Sequence, residues 1–234
     1  MQLILGLAVV IAIILLIGWL QDNKERRRVT SLREAAERLG FDFRQDEDAA
    51  VLRQTVPFLI FYQGVSSTAH NVMLSPPNPT DDEAPRIAAF EYAFNVPFGR
   101  YTQSWRQTVI QLLSPTLSLP AFSVMPNVVF EALATKARDE KVREHALSSP
   151  TLKLDNAPTL TEESHIQAPD RAAVEPLFTN ALIRFFEDHP DLCVEAGDNT
   201  LILYRFDELT PADKLSAFID EAYELHRILK EGSA

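Results

Sequence analysis

Residues 3–20 read LILGLAVVIAIILLIGWL, an apolar stretch without a charged side chain. At the helical rise of about 1.5 Å per residue this stretch spans roughly 27 Å, which is close to the roughly 30 Å of a bilayer's hydrocarbon core. The stretch therefore predicts one membrane-spanning helix from Leu3 to Leu20. Trp19 stands where an interfacial aromatic anchor belongs.

The alternative for this stretch is a cleaved secretory signal. Such a signal begins with basic residues and ends with small residues at the cleavage site. Only Met1 and Gln2 precede the apolar stretch, and it ends in GWLQ at 18–21, which lacks an A-x-A pattern. These features favour an uncleaved anchor over a cleaved signal.

The basic residues next to the apolar stretch predict its orientation. Lys24, Arg26, Arg27 and Arg28 follow it, and no basic side chain precedes it. Because basic residues near a spanning helix prefer the cytoplasmic side, we expect a single-pass protein of the cell membrane. Its N-terminus would lie outside and its large C-terminal part in the cytoplasm. The same cluster could also contact anionic lipid headgroups, at about 1 kcal/mol per cation.

The rest of the chain is acidic and large enough for one large domain or two small ones. The sequence has 22 basic and 33 acidic residues, a formal net charge of −11, and 214 residues (234 − 20) follow the apolar stretch. Because nucleic acid phosphates would repel such a surface, the composition argues against a nucleic-acid partner. Cys193 is the sole cysteine, so no internal disulfide can form, and its apolar neighbours indicate an inert thiol in a strand.

The predicted domain organisation has five parts. Residues 1–20 are a transmembrane anchor, and 21–28 are a basic juxtamembrane stalk. Residues 29–140 form an α+β subdomain with an antiparallel meander, 141–160 are a linker, and 161–234 form a strand-helix-hairpin-helix subdomain. The linker is rich in charge, Ser and Pro and has few large apolar residues.

In the first subdomain, Ser31 and Glu34 have the spacing of a capping box and Gly40 is placed to end a helix, which predicts a short helix over 31–39. Alternating apolar residues predict strands at 72–74, 87–94, 101–113 and 119–125. The apolar run 58–62 is either a strand or the end of a short helix. Pro126 is suited to the first turn of a helix over 127–138.

In the second subdomain, a strand is predicted at 163–167, and Asp170 is placed as a helix cap. An apolar stripe from Val174 to Phe186 predicts one helix. Pro176 conflicts with a start at Asp170 unless the first turn is separate, and it otherwise favours a start near Glu175. Residues 192–195 and 201–204 flank a Gly-containing turn and predict a hairpin. A last helix follows Thr210 and carries the apolar stripe 215–229. The fold class is α+β: an N-terminal transmembrane helix, then antiparallel β-sheet with helices packed on it.

The sequence offers no catalytic, cofactor-binding or metal-binding motif, so we predict no cofactor and no such site. The five histidines (His70, His145, His165, His189 and His226) never stand three or four residues apart, so they form no helical metal pair. His189 closes a predicted helix, where a cation suits the dipole. The sequence has neither a Gly-rich phosphate loop nor a G-x-S-x-G elbow.

Two further features concern a functional surface. Glu91 and Glu195 lie within apolar strands, at positions where alternation places them on the outer face, and they could form an acid–base pair if their strands were neighbours. The first loop to consider as a functional surface is 95–100, because it combines aromatic residues with Gly99 and Arg100.

Several short motifs carry a family resemblance. They are Phe90-Glu91-Tyr92, Gln107-Thr108-Val109, Leu119-Pro120-Ala121-Phe122 with Pro126, and Val194-Glu195 before Leu201-Ile202-Leu203-Tyr204. In this layout the chain resembles a group of uncharacterised bacterial single-pass membrane proteins, in which an N-terminal membrane helix precedes an α+β domain. The resemblance implies a bacterial membrane location and supplies no functional residues.

Three functions are compatible with these observations. The favoured hypothesis is a cytoplasmic, non-enzymatic module, held at the lipid bilayer, that binds a protein partner or serves as a scaffold. The alternatives are a membrane-tethered enzyme whose site is assembled only by folding, and a lipid- or ligand-binding domain.

Overall fold

The computed structural model describes residues 2–47, 58–64, 66–98, 100–134, 144 and 149–232, and at 2–10, 14, 46–47 and 98 it describes the backbone alone. The helices are α1 (Gln2–Leu39), α2 (Asn127–Ala134), α3 (Pro158–Glu163), α4 (Arg171–Val174), α5 (Asn180–Asp188) and α6 (Leu215–Gly232). The strands are β1 (Asp42–Glu47), β2 (Ser66–Leu74), β3 (Arg86–Phe98), β4 (Tyr101–Leu113), β5 (Leu119–Pro126), β6 (Ser164–Gln167), β7 (Leu192–Asp198) and β8 (Thr200–Arg205).

The strands form a single sheet of eight in the order β1-β2-β3-β4-β8-β7-β5-β6, and all neighbouring strands are antiparallel. The predicted α+β class with an antiparallel sheet is therefore confirmed. Strands β2, β3 and β4 form the predicted meander. The β7–β8 hairpin is inserted between β4 and β5, so strands from both sides of the predicted linker join one sheet. The division of residues 29–234 into two subdomains stays a prediction.

Both faces of the sheet are covered. Helices α1 and α3 to α6 pack on one face, called here the α1 face, whose core includes Leu32, Ile110, Phe186 and Leu225. Helix α2 and a 3₁₀ turn at Leu59–Tyr62 pack on the opposite face, called the α2 face. Burial of both faces explains why the strands alternate between two sets of apolar residues rather than between apolar and polar ones.

Helix α1 runs without interruption from Gln2 to Leu39. The predicted stalk is therefore helical, and the expected separate helix beginning at Ser31 is wrong. No proline interrupts this stretch, and Leu32, Ala35 and Ala36 are buried against the sheet, which stabilises the helix past the local capping signal. The end is as predicted: Gly40 has φ +70°, and the Phe41 amide donates to the Ala36 carbonyl.

The apolar segment of α1 is exposed where its side chains are described. Ile11, Leu15, Leu16 and Trp19 are between 48% and 68% exposed. Among the residues that the structure describes, no helix is both long enough and apolar enough to cross a membrane. In α1, the side chains are described from Ile11 onwards, apart from Ile14.

Three further predicted segments lie between β1 and β6, and two of them fall partly outside the described residues. The apolar run 58–62 is a 3₁₀ turn. Helix α2 is described to Ala134, and the predicted continuation over 135–138 lies outside the described residues. The predicted linker lies partly outside them, and in its described part Leu152 and Leu154 are buried in the core of the α1 face.

In the last third, Asp170 caps a helix as predicted, by accepting a hydrogen bond from the Ala173 amide at 3.1 Å. The single helix expected after it is wrong. The chain forms α4, then a 3₁₀ turn containing Pro176, and Thr179 starts α5 by accepting from the Leu182 amide. The hairpin β7–β8 and the buried stripe of α6 are confirmed. The hairpin turn lies at 198–199, and Asp198, with φ +51°, adopts the left-handed conformation.

Candidate functional site at the base of helix α1

A buried ion-pair network attaches α1 to the sheet. Glu91, on the α1 face of β3, is 2% exposed and accepts from Arg28 Nε at 2.5 Å and from Arg106 Nη2 at 3.0 Å. Arg106, on β4, also binds the Glu25 carboxylate at 3.3–3.4 Å. Arg28 Nη2 donates to the Thr210 carbonyl at 3.0 Å, which adds the segment before α6 to the network. The network couples the base of α1 to β3, to β4 and to the segment before α6.

The electrostatics of the network follow from this pairing. Partial burial would by itself lower the pKa of Arg106, but the hydrogen bond and charge of Glu25 and the charge of Glu91 raise it above the ordinary value. Glu91 is thus satisfied by two guanidinium groups. The expectation that Glu91 lies on an outer, solvated face is wrong, because α1 covers that face.

A cleft opens beside the network, between α1 and residues 209–213. Its volume is about 920 Å³. The charged side chains that line it are four cations and four carboxylates: Lys24, Arg28, Arg38, Arg106, Asp22, Glu25, Glu34 and Asp213. The cleft begins at Gln21, directly after the apolar segment, so a ligand in it would lie next to the exposed apolar surface of α1.

Part of this charge is uncommitted. Lys24 and Arg38 have no hydrogen-bonding or ion-pair partner within the described ranges, and the same holds for the carboxylates of Glu34 and Asp213. Arg28 and Arg106 are held by the network. The cleft therefore offers two free groups of each sign, which suits a partner surface that carries both charges.

The structure disperses the predicted basic cluster. Arg28 is built into the network, Lys24 lines the cleft, and Arg26 forms an exposed i, i+4 pair with Asp22 at 2.9 Å. Arg27 is exposed. Lys24 and Arg28, four residues apart, share the face of α1 that borders the cleft, whereas Arg26 lies on the opposite side of the helix.

A smaller pocket of about 360 Å³ lies on the other side of α1. It shares Glu25 and Arg106 with the cleft and is also lined by His70 and Asn71. Asn71 is 1% exposed, and its Oδ1 has no hydrogen-bond partner among the described residues. Its φ of +50° places it at the irregularity in the β2–β3 register between His70 and Met73.

Glu195 is the second buried carboxylate, on the α2 face. It accepts hydrogen bonds from the backbone amides of Leu59 and Ile60, the latter at 3.0 Å, and from the Tyr204 hydroxyl at 3.0 Å. Burial raises the pKa of Glu195 to about 7, although these three hydrogen bonds act to lower it. It caps the 3₁₀ turn that covers this face, so the expectation of an outer position is wrong.

Glu91 and Glu195 do not form an acid–base pair. They lie on opposite faces of the sheet, and β4 and β8 separate their strands. Each carboxylate is instead committed to holding a different covering segment onto the sheet.

Cys193 and the histidines have structural surroundings. Burial raises the pKa of the Cys193 thiol well above its ordinary value, in accord with the expected inert thiol. His189 Nδ1 lies 2.7 Å from the Phe185 carbonyl at the end of α5, as predicted. His226 is 2.8 Å from the Ser114 hydroxyl, and His165 stacks on Phe130. His145 lies outside the described residues.

Of the residues of the network and the cleft, only Lys24, Arg28 and Glu91 were singled out as functional candidates from the sequence, and Glu91 was expected in a different role. A sequence signal did exist: positions 21, 24, 28, 31 and 38 fall on one stripe of a helix, since they are spaced by three, four and seven residues. That stripe becomes visible only if the helix is taken to continue through the stalk. Among the described residues, no group of three or more His, Cys, Asp or Glu could hold a metal ion.

No protein-family model matches the chain, and no curated protein matches it. Among solved structures, the fold is similar to that in the crystal structure of the mycobacterial trehalose monomycolate transport factor A, TtfA. The two chains are 14% identical, the match covers 88% of this chain and 94% of that chain, and the TM-score is 0.53. At this identity the similarity shows a shared α+β fold.

Proposed function

We propose that this protein is a membrane-anchored, non-enzymatic module that binds a protein partner at the cytoplasmic surface of the membrane. One observation carries the proposal: a single helix joins the apolar segment 3–20 to a base that is locked onto the sheet by Arg28, Glu91 and Arg106. A helix built in this way fixes the height and orientation of the domain above the bilayer. A flexible tether would need no such network.

The anchor is supported by the exposure of the helix. The described side chains between Ile11 and Leu20, which do not include that of Ile14, are exposed, and apolar surface of this kind marks a membrane or partner contact. Trp19, 61% exposed, lies at the end of the apolar segment, which suits the interface between headgroups and acyl chains. The basic residues from Lys24 to Arg28 follow at once and support a cytoplasmic domain with the N-terminus outside.

The cleft supports partner binding at the membrane surface. The cleft begins within one headgroup layer of the embedded segment, since the helix advances about 6 Å from Leu20 to Lys24, and it extends along α1 to Arg38, about 27 Å from Leu20. Its free charges of both signs favour a protein surface over a polyanion. The same placement agrees with the bacterial single-pass family that the sequence resembles.

A lipid-binding role is the second candidate. It is favoured because the exposed apolar segment of α1 lies directly next to the polar cleft. A lipid has the same arrangement, with an apolar acyl chain next to a polar headgroup. The structural neighbour TtfA is a trehalose monomycolate transport factor. By analogy of fold, the present protein would act as an accessory factor for lipid handling at the membrane.

The test is co-purification of the affinity-tagged full-length protein from membranes of its native host. Three forms are compared: the wild type, Arg38→Glu in the cleft, and Arg184→Glu on α5 as a matched charge reversal at an exposed site away from the cleft. We expect one membrane protein to be enriched with the wild type and with Arg184→Glu, and to be lost with Arg38→Glu.

Native mass spectrometry of the same preparations separates the two candidates. A bound lipid that Arg38→Glu removes, with no protein partner in any form, would favour lipid binding over partner binding. Recovery of all three forms from the soluble fraction, without membranes, would contradict both.

A further inference from the structure

We propose that the tip of the β3–β4 hairpin, with its described residues 96–98 and 100–103, is a second membrane-contacting element that enters the interfacial layer of the bilayer beside α1. The inference rests on the proposed function, because it requires α1 to be embedded. It also gives a role to the 95–100 loop singled out by its sequence.

The hairpin extends beyond its neighbours in the sheet. Strand β2 pairs with β3 as far as Asn95, opposite Ser66, and β8 pairs with β4 only from Val109 onwards. Within the described strands, residues 96–103 therefore pair only with each other, from Val96 opposite Gln103 to the end of the hairpin. They form a two-stranded arm.

The arm points toward the same side as the apolar end of α1. The Arg33 guanidinium lies 5.2 Å from the centre of the Phe43 ring. Phe43 pairs with Met73, and Met73 pairs with Ala89, so Arg33 is level with Ala89 of β3. Residues closer to the N-terminus of α1 are level with residues closer to the C-terminal end of β3. Helix and strand are thus antiparallel.

A second contact sets the scale. Glu25 binds Arg106, and Arg106 pairs with Ala93, so Glu25 is level with Ala93. Between these two levels the helix advances eight residues, from Arg33 to Glu25, while β3 advances four, from Ala89 to Ala93. This ratio of two is close to the value of about 2.2 that the rises of about 1.5 Å and about 3.3 Å per residue give for a helix running along the strand.

The same ratio places the tip at the level of the bilayer. The last pair of the hairpin is Phe98 opposite Tyr101, and Phe98 lies five residues beyond Ala93. At two helix residues per strand residue, this pair is level with the helix residue ten positions before Glu25, which is Leu15. The arm passes the level of Leu20 near residue 96. The tip then lies about 7 Å beyond Leu20, the depth at which interfacial amphipathic segments lie.

The chemistry of the arm suits this depth. The chain carries 33 acidic residues, yet none occurs between Glu91 and Glu131. Tyr101 is 80% exposed. Among the described residues outside α1, Tyr101 and Val128 have the two most exposed large hydrophobic side chains. A tyrosine places its ring among acyl chains and its hydroxyl in water, and Arg100 can extend to lipid phosphates.

The test is the depth of fluorescent labels in the full-length protein. An environment-sensitive maleimide labels three variants. They are Leu16→Cys in the apolar segment, Tyr101→Cys at the tip, and Asp82→Cys in the turn at the opposite end of β3. Cys193 is fully buried and stays unlabelled in the folded protein. The proteins are reconstituted in nanodiscs of phosphatidylcholine and phosphatidylglycerol, with and without a nitroxide near the top of the acyl chains.

We expect the nitroxide to cause a strong loss of emission at positions 16 and 101 and none at 82. Loss at 16 without loss at 101 would overturn this inference and leave the anchor intact. Equal loss at 82 and 101 would also overturn it, because contact would then not be specific to the tip. No loss at 16 would refute the anchor itself, and the proposed function with it.

Discussion

Replacing Glu195 with Gln should abolish a specific component of the protein's pH-dependent stability. Glu195 is buried on the α2 face and has a pKa of about 7, against 4.5 in the unfolded chain. A carboxyl with a raised folded-state pKa contributes stability that is fully present below the unfolded pKa and is lost as the pH rises through the folded one. Deprotonation of Glu195 therefore destabilises the folded domain.

The magnitude follows from the difference between the two pKa values. The difference between a pKa of about 7 and one of 4.5 corresponds to about 3 kcal/mol, at roughly 1.4 kcal/mol for each pH unit. By the same linkage, most of this stability, about 2–3 kcal/mol, is lost between about pH 5 and about pH 8.5. Gln does not titrate. Its amide group would face one of the two backbone N–H donors, which lowers stability by an amount that does not depend on pH.

The assay is urea denaturation of the full-length protein in detergent across this pH range. Trp105, which is 5% exposed and packs against Phe94, reports unfolding in a Trp19→Phe background. We subtract the free energy of unfolding of Glu195→Gln from that of the protein with Glu195, and we expect this difference to fall by about 2–3 kcal/mol as the pH rises. Added salt should change this fall little, because a buried group is weakly screened.

Two results would refute the reasoning. A difference that stays constant across the pH range would mean that Glu195 has the same pKa in both states. A difference that rises with pH would mean that the hydrogen bonds from Leu59, Ile60 and Tyr204 outweigh burial. As an independent check, Tyr204→Phe removes one hydrogen bond to the ionised carboxylate, so it should move the midpoint of the fall to higher pH.

Three further predictions concern the attachment of α1, a glycine turn and the cysteine. Glu91→Ala leaves two arginines without their shared carboxylate and should lower the free energy of unfolding by about 3 kcal/mol, measured by urea denaturation; a change below about 0.5 kcal/mol would contradict the network's role. Gly64→Ala should cost more than about 1–2 kcal/mol in the same assay, because φ is +63° and the new Cβ would meet the Asn95 carbonyl oxygen; wild-type stability would show that the turn is wrongly described. Cys193 should resist N-ethylmaleimide in the folded protein and react fully in urea, as followed by intact mass; rapid native labelling would show that β7 opens.

Much of the sheet could be predicted from local pattern. The meander, the β7–β8 hairpin and the stripe of α6 were correct because each depends on residues close in sequence: alternation, a tight turn and a 3.6-residue period. The Asp170 cap was correct for the same reason.

The errors share a different cause. Glu91 and Glu195 were expected on a solvated face because alternation gives the period of a strand and not what covers each side. The break at Thr179 and the unbroken course of α1 were missed because local capping patterns compete with packing against distant residues. The insertion of β7–β8 beside β4 is likewise a pairing of segments almost a hundred residues apart.

The sequence by itself determined the apolar segment of α1, its basic flank, the acidic character of the rest and the kind of most regular elements, since these depend on composition and short-range periodicity. The tertiary structure alone decided that α1 is locked to the sheet, that a charged cleft opens at its base, and that the β3–β4 arm lies level with the apolar segment. These features depend on which segments, distant in sequence, pack on the same face of the sheet. The burial energies that select such contacts are summed over the whole fold, so no short stretch of sequence contains them.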